Sequence, residues 1–210
     1  MTTLSDRVFA AAPILPAPLP PETLPALAPG AKRFVAAADG LHLQVRSPAL
    51  YVSVQLAALP LPFGPPPPIV IDPNPLASPA LLDALRSFAL AAQEEPSREI
   101  AGAILATAEG PKLRLLAPLS SSAAHVTYDD SGLDDDFLLV DLHSHGRLPA
   151  YFSTTDDASD LSRRGPYLAL VVGMADDPEE LHLATRLVVP PYLIPLGRAW
   201  NQALLRKLRP

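Results

Sequence analysis

Alternation with a period of two residues marks the first third of the chain. Leu41, Leu43 and Val45 alternate with His42, Gln44 and Arg46, and Val52, Val54 and Leu56 alternate with Ser53 and Gln55. Each run has one apolar face, as half-buried strands do. Asp39-Gly40, just ahead of the first run, is a hairpin-type turn signal. The pattern predicts a small antiparallel strand unit over residues 33–72. The period then changes. Ser78 is placed to cap a helix, Pro79 suits its first position, and Leu81, Leu82, Leu85, Phe88, Ala89 and Ala92 share one helical face before Pro96 stops it.

Short apolar runs follow at 100–106, 113–117, 124–128, 137–143, 167–172 and 184–189, each with the length and composition of a strand. The polar segment 154–164 reads as a second helix. In the last segment Leu196, Ala199, Trp200, Ala203, Leu204 and Leu208 fall at helical spacing, with Trp200 as a packing anchor. Arg206, Lys207 and Arg209 sit where a helix end favours positive charge. Helix, strands and helix in this order predict a mixed α/β sheet domain.

Composition adds proline. There are 27, clustered at 13–29 and 60–79, where regular structure is not expected and an irregular arm over a domain surface is. The domain division expected is 1–75, a proline-rich extension with the strand unit, and 76–210, the α/β domain. The 210 residues suffice for a buried core, and the net charge of −6 offers no basic field for nucleic acid. No apolar stretch approaches the roughly 20 residues of a membrane span, and Asp6 with the prolines from Pro13 onward argues against a signal peptide. A cytoplasmic protein with neither nucleic acid nor membrane as partner is expected.

The chain has no cysteine, so any metal site must use nitrogen and oxygen ligands. Asp141-Leu142-His143-Ser144-His145 is followed, after seven residues, by Ser153-Thr154-Thr155-Asp156. Two histidines two apart on a strand project from one face and can reach one ion. Two imidazoles and a carboxylate form a recurrent catalytic zinc set that leaves a position for water. Ser153 and Asp156, three apart at a helix start, turn toward the same small volume. His42, His125 and His182 have no partner at such spacing and are expected at surface or edge positions. The acidic residues Asp129, Asp130, Asp134, Asp135 and Asp136 are expected to form a solvated loop.

His-x-His, seven residues, then Ser-x-x-Asp resembles the JAMM signature of the JAB/MPN metalloproteases. That family also has an upstream strand glutamate followed three residues later by glycine, which Glu99-Ile100-Ala101-Gly102 matches. The resemblance covers residues 76–195. It implies a JAB/MPN-like (cytidine-deaminase-like) α/β fold, a mixed sheet flanked by helices, with the proline-rich, strand-containing extension in front. It implies Zn2+ held by His143, His145 and Asp156, with Glu99 as general base and Ser153 as oxyanion donor. The substrate implied is the C-terminal tail of a ubiquitin-like protein, cut at a peptide or isopeptide bond. The run from His143 to Ala158 is similar to that of the JAB-type component of the bacterial ParB-related, ThiF-related (PRTRC) cassette. This narrower likeness implies a ThiF/E1-like partner. The competing reading is a non-catalytic JAB-fold scaffold that assembles the partners of such a cassette.

Overall fold

The computed structural model describes residues 11–122, 125–130 and 132–209. The start of the run at Ala124, the side chain of His125 and the leader argument from Asp6 lie outside the described residues. The chain divides into two compact units, Met1–Asn74 and Pro75–Pro210.

The first unit is a five-stranded sheet in the order β1 (Ile14–Pro16), β2 (Lys32–Ala37), β3 (Gly40–Arg46), β4 (Tyr51–Ala58), β5 (Val70–Asp72). The strands from β2 to β5 are antiparallel, and β1 joins β2 in parallel. Leu43, Val45, Val52 and Val54 are buried, as their alternation requires. The polar face is buried too: His42, placed at the surface or an edge by the sequence, is 1 % exposed and shares a 2.8 Å hydrogen bond between Nε2 and Asp39 Oδ1. Proline-rich segments lie along this face, which alternation alone assigns to solvent.

Two strands form inside the proline clusters. β1 is an edge strand that uses what a proline keeps: Phe34 N donates to Pro13 O at 2.8 Å, and Ala17 N donates to Ala36 O at 2.7 Å. β5, three residues between Pro68 and Pro73, is the opposite edge.

In the second unit, α1 (Pro79–Glu94) begins at Ser78, whose side chain accepts from Leu81 N, and buries Leu81, Leu82, Ala84, Leu85, Phe88, Ala89 and Ala92. Then come β6 (Ala101–Thr107), β7 (Gly110–Leu116), the hairpin β8 (Pro118–Ser122) and β9 (His125–Tyr128), and a 3-10 turn at Asp135–Phe137. β10 (Leu138–Ser144), α2 (Thr154–Ser162), β11 (Tyr167–Gly173), β12 (His182–Val189), β13 (Tyr192–Pro195) and α3 (Gly197–Leu208) complete it.

The main sheet runs β13-β12-β11-β10-β6-β7, with β10 parallel to β11 and the other neighbours antiparallel. Helix α1 packs beneath β6 and β7: a Cβ at Gly102 would lie 3.2 Å from the Phe88 ring and 3.1 Å from Arg114 O. Helix α3 lies against β12 and α1, and Arg86 Nη2 of α1 donates to Lys207 O at 2.6 Å. On the other face, Ala103, Leu138, Tyr167, Ala169 and Val188 form a core cluster beneath Phe152, which leads into α2. The result is the expected mixed α/β architecture.

Candidate metal centre

Strand register decides what faces α2. His143 pairs with Ala101 on β6 and Val171 on β11, and Asp141 pairs with Ala103 and Ala169. Arg186 on β12 lies opposite Ala169, in the Asp141 row. One face of the sheet therefore presents His143, Asp141 and Arg186 with alanines between them, and the small neighbours leave a cavity of about 460 Å³. Glu99, His143, His145, Ser153 and Asp156 all line it.

Ligand-type atoms of His143, His145 and Asp156 lie within 4.8 Å of one another. The histidine rings are 5.2 Å apart, and His143 Nε2 is 3.6 Å from Asp156 Oδ1. His145 Nδ1 is 3.1 Å from Pro149 O, and since a carbonyl only accepts, Nδ1 carries a proton and Nε2 is the ring nitrogen left to face an ion. His143 Nε2 is buried with no hydrogen-bond partner. An orphaned buried nitrogen is costly, and a metal ion would satisfy it. Burial pushes the His143 imidazole down to about 4, against the pull of Asp156, so it is neutral near pH 7 as a metal ligand must be. The donor set therefore fits a metal ion: two imidazoles and a carboxylate.

Asp156 is held ready by the helix start. Ser153 caps α2 in a reciprocal box: its Oγ accepts from Asp156 N at 3.2 Å, and Asp156 Oδ2 accepts from Ser153 N at 2.6 Å. Ser153 Oγ also donates to Asp156 Oδ2 at 2.7 Å. Both Ser153 donors bind one carboxylate oxygen, leaving Oδ1 toward His143. Burial opposes ionisation of Asp156, but His143 and the Ser153 donors outweigh it and hold the carboxyl below its usual range.

Glu99 sits two residues ahead of β6 rather than within it. Pairing nonetheless continues to its neighbour, because Ile100 N donates to Ser144 Oγ at 3.0 Å and Ser144 N donates to Ile100 O at 2.9 Å. Gly146 makes this approach feasible. Its φ is 54°, and a Cβ there would lie 2.6 Å from Pro96 O. Gly173 does the same for the Pro149 turn, since a Cβ would sit 2.3 Å from Ala150 N.

The remaining support was not readable from spacing. Arg186 is 5 % exposed; its Nε donates to Asp160 Oδ2 at 2.7 Å, its Nη1 bonds Asp157, and its guanidinium lies 3.8 Å from the Phe152 ring centre. Tyr167 OH donates to Asp160 Oδ1 at 2.8 Å. The acidic segment is not simply solvated: Arg163 ties Asp130 at 2.9 Å and Asp135 at 3.1 Å. Arg163 Nε also lies 3.7 Å from Asp141, whose carboxyl burial pushes up to about 7 despite that cation. His182 is exposed, as expected.

A family model described as prokaryotic homologues of the JAB domain matches residues 81–186, just over half of the chain. Another, described as a domain of unknown function (DUF2016), matches residues 4–70. Among solved structures, the solution structure of protein DSY2949 from Desulfitobacterium hafniense, a structural genomics target, is similar. The identity is 17 %, the match covers 54 % of this chain and 85 % of that one, and the TM-score is 0.41. No curated protein matches.

Proposed function

The chain belongs to the family of prokaryotic JAB-domain homologues, and from that premise we propose that its second unit is a JAMM-type zinc metallopeptidase that hydrolyses a peptide or isopeptide bond. The observation that carries this reading is the convergence of His143, His145 and Asp156 within 4.8 Å, with the orphaned Nε2 of His143 among them. Zn2+ would be held by His143, His145 and Asp156. When bound, such an ion acidifies a water and polarises a carbonyl.

The chain supplies the rest. Glu99 shares the cavity without belonging to the ligand group, which suits a base that takes a proton from the attacking water and returns it to the departing amine. Ser153 donates to the developing oxyanion by turning its hydroxyl away from Asp156. Its backbone N–H, 2.6 Å from Asp156 Oδ2, keeps the carboxylate in place meanwhile. The substrate in this reading is the extended C-terminal tail of a ubiquitin-like protein. β7 is an edge strand whose last residue, Leu116, lines the cavity, so a tail added along that edge would enter the site. A ThiF/E1-like cassette partner would supply or receive that protein.

The test is Glu99→Gln assayed on a linear fusion joining a ubiquitin-like tail to a reporter. Cleavage should fall by about a hundredfold or more with zinc content unchanged. Undiminished cleavage would remove Glu99 from the mechanism. A partner complex that forms without zinc and without cleavage of any tail would favour the scaffold reading.

A further inference from the structure

The first unit holds a feature that the metal centre does not use. Arg33 of β2 is only 7 % exposed. Its Nε donates to Gln44 Oε1 at 2.8 Å and its Nη1 donates to Pro25 O at 2.7 Å. Among the described residues no carboxylate forms an ion pair with it. The other deeply held arginines differ: Arg163 and Arg186 each face two or more carboxylates. Burying a guanidinium without a counter-charge is costly, and a bound anion would offset that cost.

The cation is also aimed. Arg33, Gln44 and Ser53 lie opposite one another on three adjacent strands. Gln44 Nε2 donates to Ser53 Oγ at 3.3 Å, which fixes the amide so that its oxygen faces Arg33. Gln44 is 4 % exposed and Ser53 is fully buried. Two of the five guanidinium N–H groups are committed by these bonds, and among the described residues the others make no further side-chain or backbone hydrogen bond, which leaves them for a ligand. Arg33 borders a cavity of about 460 Å³ walled by Pro18, Pro25, Pro65, Pro67 and Tyr51. That volume is in the range of small-ligand sites. Gly64 ties the two proline segments of the wall: its N donates to Ala17 O at 2.9 Å, and a Cβ there would lie 1.9 Å from Pro18 O. The site is therefore built rather than a chance surface hollow.

We propose that this cavity binds a carboxylate carried on an apolar body, with the buried Arg33 guanidinium as its anchor. The planar fork matches a carboxylate, and the proline and tyrosine walls suit an apolar group beside it. One nearby cation, Arg46, is exposed, and Glu22 also lines the cavity, so a doubly charged phosphate would be poorly compensated. The carboxylate could belong to a peptide C-terminus or to a small acid. This proposal is independent of the metal site.

The experiment is an NMR titration of the full-length, isotope-labelled chain, following the Arg33 Nε–H and Gln44 side-chain amide signals. The probes are a short apolar peptide with a free C-terminus, the same peptide amidated, phenylbutyrate and inorganic phosphate. Saturable shifts with an acid, at a Kd below about 1 mM, and none with the amide would support the proposal. Response to the free peptide alone identifies a chain terminus, and response to phenylbutyrate as well identifies a general acid site. Arg33→Lys should weaken binding by about tenfold or more, because the fork is lost although the charge stays. If that variant does not fold, the acid-to-amide comparison on the unaltered chain decides alone. Equal response to acid and amide, no saturation with either acid, or tighter binding of phosphate would overturn it.

Discussion

His143 illustrates how one side chain sets a pH response. Its pKa is lowered from 6.5 to about 4 by burial, so between those values the unfolded chain binds more protons than the folded one. Stability due to this group is therefore lost as the pH falls through that window. Asp141 behaves oppositely: burial raises it from 3.8 to about 7, so the folded chain binds the extra proton and gains as the pH falls. In chelator-treated protein the two slopes offset one another. Asp141→Asn removes the offset, and its melting temperature should drop more steeply from pH 6.5 to pH 4 than that of the parent chain. Parallel melting profiles would contradict this assignment of the two groups. At this scale much of the candidate site was legible, because a spacing of two on a strand and three at a helix start dictates shared direction. The Pro149 carbonyl that fixes the His145 tautomer was not, since a backbone acceptor leaves no trace in residue identity.

At the scale of elements, α2 is the part that must stay registered on the sheet. Arg186 clamps it by bridging Asp157 and the buried Asp160. Arg186→Met leaves Asp160 uncompensated and should cost about 3–5 kcal/mol. Zinc affinity should fall by about 10- to 100-fold as Asp156 loses its position. Asp157→Asn breaks only the half that is 46 % exposed and should cost no more than about 1 kcal/mol. Chemical denaturation and zinc titration check both; equal effects in the two variants would show that the clamp is not where the energy lies. Gly146→Ala should destabilise by about 1–3 kcal/mol through its φ of 54° and the Pro96 contact. It should also impair hydrolysis while zinc stays bound, because it moves the segment leading to Glu99.

Among the strands that escaped sequence reading, β1 and β13 have three or four residues each, so no period can emerge, and proline interrupts or bounds them. Arg186 is a charged residue within an apolar strand, and its role depends on partners 26 and 29 residues away in sequence.

Taken whole, the molecule joins two compact units with different legibility. In the second, helix caps, strand runs and ligand spacing point to one answer, and the family match spans residues 81–186. Among the described residues no helix is long and apolar enough to cross a membrane. In the first, alternation finds β3 and β4 but places their polar face in solvent, whereas the structure buries His42, Gln44 and Ser53 there, with Arg33 of β2 beside them. The proline-rich arm expected over a domain surface covers this face, and alternation within the strands carries no trace of that cover.

Metal content tests the metal centre before any substrate is known. Zinc per chain is to be measured by mass spectrometry on tag-free protein, comparing the parent chain with His143→Ala and Asp156→Ala. About one zinc per parent chain, lost from both variants, is the predicted result. A folded parent chain that takes up no zinc after supplementation, or variants that keep it in full, would show that these three residues do not form a metal centre.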